Sequence, residues 1–365
     1  MIKRIILYDF LVAQGGAEAL TLTLLKGVPE AELAVAFKDD NIFSDQEMEL
    51  YPLRVLSDFT AMMGWQSIKS IWVFRNKTHF LSSYQQVVYS GLYSPVAIKH
   101  HHQGSNIYYC HTLPRFVYDL KNYYWQQARW WQKPLLKFLT VYVKYHYEHS
   151  IAQMDTIIAN SDNVRQRIKR YLGREALVIN PPIEVEQFNW IEQGDYYLST
   201  ARVEHYKRVE LIVRTFMNLP GKKLVVASGG SDLERLKTMA EGHTNISFTG
   251  LCTDEQLKIL IGSCIATIYI PHDEDFGMSP VESMAAGKPV IGVAEGGLLE
   301  TVVPEQTGVL IQLDTEETNQ LQLIKALDWM THKQALAMRE ACEARSQLYT
   351  KELFLQRMGE VLEKA

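Results

Sequence analysis

Short apolar runs alternate with amphipathic segments along the whole chain, and the rhythm breaks once. The break is "VINPPIEVEQFNW", residues 178–190. Asn180-Pro181-Pro182 cannot continue a helix or a central strand, because proline lacks the amide donor and fixes its own φ. Before the break, "RIILYDF", "ELAVAFK", "QVVYSG", "NIYYCH" and "DTIIANS" read as strands, with "GAEALTLTLLKGV" as a helix. After it, "YYLSTAR", "KKLVVAS", "NISFTG", "IATIYI" and "KPVIGV" read as strands. Helical segments separate them, and the chain beyond about residue 315 reads as helix. Strands that alternate with helices form parallel sheets covered by helices. The expected fold is therefore α/β, two Rossmann-like doubly wound domains facing across a cleft. The expected boundaries are 1–182 and 183–348, with a C-terminal helix at about 349–365 packing back on the first domain. A length of 365 residues suits two cores.

Bulk properties exclude more than they identify. A formal net charge of -5 argues against a general nucleic-acid binder. Cys110, Cys252, Cys264 and Cys342 match no zinc or disulfide spacing, which points to a reducing compartment. The start, "MIKRIILYDFLVAQGG", is basic and then apolar like a secretion signal. Asp9 interrupts its apolar run, so it reads as a buried first strand.

The stretch "YIPHDEDFGMSPVESMAAGKPVI", residues 269–291, crowds four acids around a Phe-Gly and a helix start. Three readings compete. Asp273-x-Asp275 has the spelling of a divalent-ion site, but no third carboxylate or His stands at a convincing distance. Ser279-Pro280-Val281-Glu282 fits a capping box, with Ser279 as N-cap. The third reading explains more. Glu274 and Glu282 can take hydroxyls at two ends of an elongated ligand, since carboxylates accept hydrogen bonds from vicinal hydroxyls. Between them Gly277, Met278 and Ser279 offer amides at a helix N-terminus, a ready anion site. "STARVEHYKRVELIVRTF" adds Arg202 at a strand end and Lys207 in what reads as a helix's first turn. Together they suit a diphosphate clamp. Gly15 and Gly16 open the first helix, although a lone glycine pair is weak evidence. His100, His101 and His102, read as consecutive strand residues, would point to alternate faces and could not chelate together.

These elements resemble a known family. "QGGAE", "DTIIANS", "NPP", "ARVEHYK", "ISFTGLCTDEQLKIL", "EDFGMSPVESMAAGKPVI" and "EGGLLETV" look like a retaining glycosyltransferase of family 4, with the two-domain fold called GT-B. The resemblance spans nearly the whole chain. It implies that Glu274 binds the donor sugar and Glu282 the ribose, and that Arg202 and Lys207 hold the diphosphate. Gly15 and Gly16 would let the first loop approach the phosphates and acceptor. Gly250 and Leu251 would meet the base through main chain. Phe276, Gly277, Met278 and Ser279 would complete the donor site. His111, in "YYCHTLPRFVYD", resembles the family's active-site histidine. The catalytic set is then His111, Arg202, Lys207 and Glu274. The resemblance implies no metal and no cofactor beyond the nucleotide-sugar substrate. "CHTLPRFVYD" is similar in style to bacterial mannosyltransferases of surface polysaccharides, which makes GDP-mannose the leading donor. One departure stands out: Arg208 occupies the position usually held by Gly.

The implied function is hexosyl transfer from a nucleotide diphosphate sugar to a glycan or lipid-linked acceptor. Two alternatives remain open, a nucleotide-sugar epimerase and a non-catalytic nucleotide-sugar-binding subunit. Residues 115–149 and 65–77 are dense in aromatics and bases, among them Trp65, Trp72, Trp125, Trp130, Trp131, Lys133 and Lys137. They fit either a membrane interface or core-facing helices. The expected location is cytoplasmic, at the inner face of the cytoplasmic membrane if those segments bind lipid.

Overall fold

The computed structural model describes residues 2–13, 15–44, 48, 51–58 and 65–365, without the side chains of residues 65, 316 and 317. Two compact units emerge, 1–181 with 354–365 and 182–353.

The first unit is built on seven parallel strands. They are β1 (Arg4–Leu11), β2 (Glu32–Lys38), β3 (Leu53–Val55), β4 (Gln86–Ser90), β5 (Ser105–Cys110), β6 (Thr156–Ala159) and β7 (Leu177–Val178). Their order is β3-β2-β1-β4-β5-β6-β7. The central strands are apolar on both faces, as strands sandwiched between helix layers must be. Ile5 and Leu7 face a core containing Phe37, Phe74 and Tyr108. Ile6 faces a second core with Leu20, Leu24 and Ile158. The C-terminal helix Lys351–Lys364 joins this second core through Phe354, Met358 and Leu362. Gln86 Nε2 donates to the Leu362 carbonyl at 2.9 Å. Gly27 gives that helix room, since a Cβ there would lie 2.2 Å from Leu355 Cδ2.

The second unit carries six parallel strands: β8 (Tyr196–Ser199), β9 (Lys223–Val226), β10 (Ile246–Phe248), β11 (Thr267–Tyr269), β12 (Val290–Val293) and β13 (Gly308–Ile311). Their order is β10-β9-β8-β11-β12-β13. Its core gathers Ile212, Phe216, Ile268, Ile291, Leu323 and Leu327. In both sheets the order reverses once, between β1 and β4 and between β8 and β11.

The α/β reading with two parallel sheets holds. Three short strands, β3, β7 and β13, were not legible. β3 and β7 have only three and two residues and sit at sheet edges. The three histidines are not strand residues. His100 ends a 3-10 turn, Ser94–His100, and His101 follows it, buried between Asn106 Oδ1 at 2.8 Å and the Tyr84 carbonyl at 3.0 Å. The strand argument against chelation thus rested on the wrong geometry. None of the four cysteines forms a disulfide.

If the C-terminal helix is a core element of the first unit, Met358→Ala should cost about 2–5 kcal/mol in urea unfolding. A loss below about 1 kcal/mol would mean the helix only rests on the surface.

Candidate active site

β8 and β11 are neighbours whose chains leave for opposite edges of the sheet. A crevice therefore opens beyond their carboxyl ends, where ligands of open α/β sheets bind. Two loops meet there. After β8 the chain passes Arg202, turns through the 3-10 segment His205–Lys207, and enters the helix Val209–Met217. After β11 it passes 270–277 and enters the helix Met278–Ala285. The His272 amide donates to the Tyr206 carbonyl at 2.8 Å and joins the two loops.

Lys207 and Glu274 meet at this junction, Nζ to Oε2 at 2.6 Å, both mostly shielded from water. The ammonium lies 5.3 Å from the Tyr206 ring centroid and 5.7 Å from that of Tyr269. Burial and the neighbouring carboxylates push the Tyr269 phenol up, so it stays protonated and donates to Glu274. The residues expected to grip separate parts of a ligand are thus joined to each other. Arg202 stands apart, its side chain 67% exposed and 3.7 Å from Glu204.

Two local expectations are corrected. Lys207 precedes the helix instead of occupying its first turn, because Arg208 takes a left-handed φ of 56° and acts as N-cap. A glycine adopts that conformation without the Cβ penalty, which explains why Gly would suit the position. The capping box is absent as well. Gly277 is the N-cap at φ 91°, and Ser279 lies inside the helix, where its hydroxyl bonds Glu282. Gly277 has no side chain with which to cap this helix, and the Met278 and Ser279 amides, in its first turn, lack the intrahelical acceptors that later residues have. Burial pushes Glu282 up to about 7, against the Ser279 hydrogen bond. Phe276 is buried, edge-on to Tyr349 at 5.3 Å. Gly250 is left-handed at φ 72° and Leu251 projects into solvent. Their loop follows β10, two strand spacings or about 10 Å from β8.

The sequence reading missed Glu295. This residue follows β12 and takes Arg208 Nη1 at 3.0 Å, the Asp273 amide at 3.1 Å and His272 Nδ1 at 3.3 Å. Burial opposes its ionisation, yet hydrogen bonds from His272 and the Arg208 charge hold it at about 2. Gly296 and Gly297 follow because the 273–276 backbone passes directly over them. A Cβ on Gly296 would lie 2.3 Å from the Glu274 carbonyl oxygen, and one on Gly297 2.4 Å from Phe276 Cα. The available signal was the "EGG" triplet. Among the described residues no group of three His, Cys, Asp or Glu is placed to hold a metal ion, and Asp273 is engaged through its amide with Glu295.

In the first unit the corresponding crevice lies between β1 and β4. Asp9 accepts the Leu92, Tyr93 and Ser94 amides at 2.5–2.8 Å, and burial still pushes it up to about 7. His111, after β5, sets Nε2 2.9 Å from Ser90 Oγ, which is 3.1 Å from Thr21 Oγ1. Burial lowers His111 to about 4, so the ring is neutral at pH 7. Gly15 is the extended N-cap of the helix Gly16–Gly27. Its missing side chain leaves room for Glu18, whose Oε2 would lie 2.7 Å from a Cβ there. Glu18 in turn hydrogen-bonds Tyr8.

Residues 182–348 match the family described as Glycosyl transferases group 1. The match covers nearly all of the second unit, 182–353. That unit carries Arg202, Lys207, Glu274, Glu282 and Glu295. The chain is 35% identical over 157 residues to the alpha-1,3/1,6-mannosyltransferase ALG2 of Dictyostelium discoideum, covering 36% of this chain and 37% of that protein. It is 27% identical over 205 residues to the MMP alpha-(1->4)-mannosyltransferase of Mycolicibacterium hassiacum, covering 49% and 46%. Against the mouse ALG2 mannosyltransferase the match spans 60% of that protein at 23% identity. The matched region is therefore between about a third and three-fifths of these relatives' lengths. Among solved structures, Anabaena HepE in complex with UDP and glucose superposes over all of both chains at a TM-score of 0.74 and 16% identity. Sucrose-phosphate synthase from Thermosynechococcus elongatus superposes over 99% of this chain and 98% of its own at 0.76 and 16%. The fold is GT-B.

Glu295→Gln preserves shape and removes the charge. Because the native carboxyl titrates well below its usual 4.5, the wild type's advantage is complete above pH 4.5 and disappears as pH falls through about 2. It should amount to about 1–2 kcal/mol, between exposed and buried ion pairs. A difference between the two proteins that stays constant over this range would remove Glu295 from the network.

Proposed function

We propose that the chain is a retaining, metal-independent mannosyltransferase. It moves mannose from GDP-mannose to a hydroxyl of a glycan or lipid-linked acceptor, in polysaccharide or glycolipid synthesis of bacterial type at the inner face of the cytoplasmic membrane. The observation that carries this reading is the Lys207–Glu274 pair at the β8/β11 reversal, beside a helix start whose N-cap is Gly277. A diphosphate placed there meets Lys207, Arg202 and two helix amides. Sugar hydroxyls reach Glu274, and ribose hydroxyls reach Glu282. The mannosyltransferase names of the sequence relatives support the choice of sugar.

Charge develops in two places as the glycosidic bond breaks, on an oxocarbenium-like sugar and on the leaving diphosphate. Fixed cations and amides aimed at the second lower the barrier without reorganising. Glu274, held by Lys207 and the Tyr269 phenol, orients the sugar. The leaving phosphate oxygen takes the acceptor proton on the face it departs from, so the configuration is retained and no protein nucleophile is needed. This differs from the paired carboxylates of glycoside hydrolases. His111, neutral at pH 7, serves as a hydrogen-bonding group for the transferred sugar and not as a cation.

GDP-, UDP- and ADP-sugars are supplied with and without an acceptor extract, in the presence of a chelator. GDP-mannose should be consumed, with mannosylated product only when acceptor is present. Arg202→Ala and Lys207→Ala should each lower turnover by about 10²-fold or more. Donor epimerised or consumed equally without acceptor would contradict transfer. Near-normal turnover by both variants would remove the clamp, and activity abolished by the chelator would remove metal independence.

A further inference from the structure

Two hydroxyls sit where apolar side chains would pack. Thr21 lies on the buried face of the helix Gly16–Gly27, with Leu20, Leu24 and Leu25. Ser90 ends β4, a strand buried at every residue. Both side chains are fully shielded from water. A buried hydroxyl costs free energy unless it is hydrogen-bonded. The β1/β4 reversal brings the two together, since the helix follows β1 and the serine closes β4. Ser90 Oγ stands there between Thr21 Oγ1 at 3.1 Å and His111 Nε2 at 2.9 Å.

The direction of this chain of hydrogen bonds is fixed at its far end. Thr21 Oγ1 lies 2.8 Å from the Ala17 carbonyl oxygen, one turn back in the helix. Two oxygens that close need a hydrogen between them, and a carbonyl has none to give. The Thr21 hydrogen therefore points at Ala17. A hydroxyl has only one, so the hydrogen between Thr21 and Ser90 belongs to Ser90. By the same count the hydrogen between Ser90 and His111 belongs to Nε2. Burial keeps the ring neutral at pH 7, and a neutral imidazole carries a single N–H. Nδ1 is then a bare acceptor, and none of the described residues hydrogen-bonds to it. The ring has little freedom to turn away. Asn160 Nδ2 donates to the His111 carbonyl at 2.8 Å, and the Tyr109 and Tyr8 rings stand at 5.1 and 6.4 Å. His111 nevertheless keeps partial exposure.

We propose that Thr21 and Ser90 are positioning residues that hold the His111 proton on Nε2 and so present Nδ1 as an acceptor for a hydroxyl of the transferred sugar. Ser90 alone could not choose the tautomer, because its hydroxyl can donate or accept. Thr21 makes the choice. The polarity decides what the ring recognises. An acceptor nitrogen selects a hydroxyl, which donates, over ring, glycosidic and phosphate oxygens, which only accept. The sugar contact rests on the transferase reading; the relay behind it does not.

Nitrogen-15 NMR of the full chain, labelled in its histidine rings, reads the tautomer directly, with His111→Gln identifying the signals. At pH 7 the wild type should show protonated Nε2 and unprotonated Nδ1. Thr21→Val keeps the shape and removes the hydroxyl. The Ser90 hydrogen then turns to the ring, and His111 should move toward the Nδ1–H form. Thr21→Ser should restore the Nε2–H form. The nucleotide sugar consumed in the assay above should move the wild-type Nδ1 resonance toward hydrogen-bonded values, and its nucleoside diphosphate alone should not. Thr21→Val should lower kcat/KM for that donor by about threefold to tenfold, the loss of one hydrogen bond, with Thr21→Ser close to wild type. A wild type with its proton on Nδ1 overturns the relay without any substitution, as does a Thr21→Val spectrum identical to that of the wild type. An Nδ1 resonance that the nucleoside diphosphate moves equally, or that the consumed donor leaves in place, overturns the sugar contact. If no nucleotide sugar is consumed, the transferase reading fails while the tautomer spectra still decide the relay.

Discussion

Each sheet contains one pair of adjacent parallel strands whose chains depart in opposite directions. Helices must pack against the faces of a parallel sheet, so the connections after β8 and β11 run to different sides and cannot fill the space at the strand ends. The site of the second unit follows from that reversal. Two loops from distant parts of the sequence, 200–208 and 270–277, arrive side by side, and the chemistry is what they bring. The Lys207–Glu274 contact links residues far apart in the chain through a geometry that the strand order alone enforces.

The loops are held more firmly than their length suggests. Glu295 ties Arg208, His272 and the Asp273 amide together. Gly296 and Gly297 let the 273–276 backbone lie almost in contact with the turn after β12. Arg208 takes the left-handed conformation at a cost that its pairing with Glu295 offsets. Arg208 and Glu295 therefore act together. Where a glycine makes that turn freely, this chain uses a cation and gives it a half-buried acid. The first unit uses similar means at its own reversal. There Asp9 receives three consecutive amides, and Gly91 leaves its carboxylate room.

The fold was legible where burial dictates residue type. Runs such as Ile5-Ile6-Leu7 and Val290-Ile291 can only be strands covered on both faces, and Pro181-Pro182 marks the passage between units. The edge strands β3 and β7 were not legible, because two or three half-exposed residues carry no periodicity. In the site, Glu274, Lys207 and Glu282 could be named from residue type and spacing. Their arrangement could not, since the Lys207–Glu274 pair, the phenol of Tyr269 and the role of Glu295 depend on which strands are neighbours. The capping box failed for a local reason: Gly277 takes the N-cap and places Ser279 one residue inside the helix. The segment 115–149 fits a membrane interface or a core-facing helix equally well by composition, because the helix Lys133–Ile151 has one buried side and one side with exposed aromatics.

The account depends on where a nucleoside diphosphate sits on the second unit. A crystal structure of the full chain soaked with GDP is the most direct measurement. The account predicts the pyrophosphate within hydrogen-bonding distance of Lys207 Nζ and the Met278 and Ser279 amides, with the ribose on Glu282. A well-ordered GDP bound elsewhere, with those groups touching only protein, would contradict it.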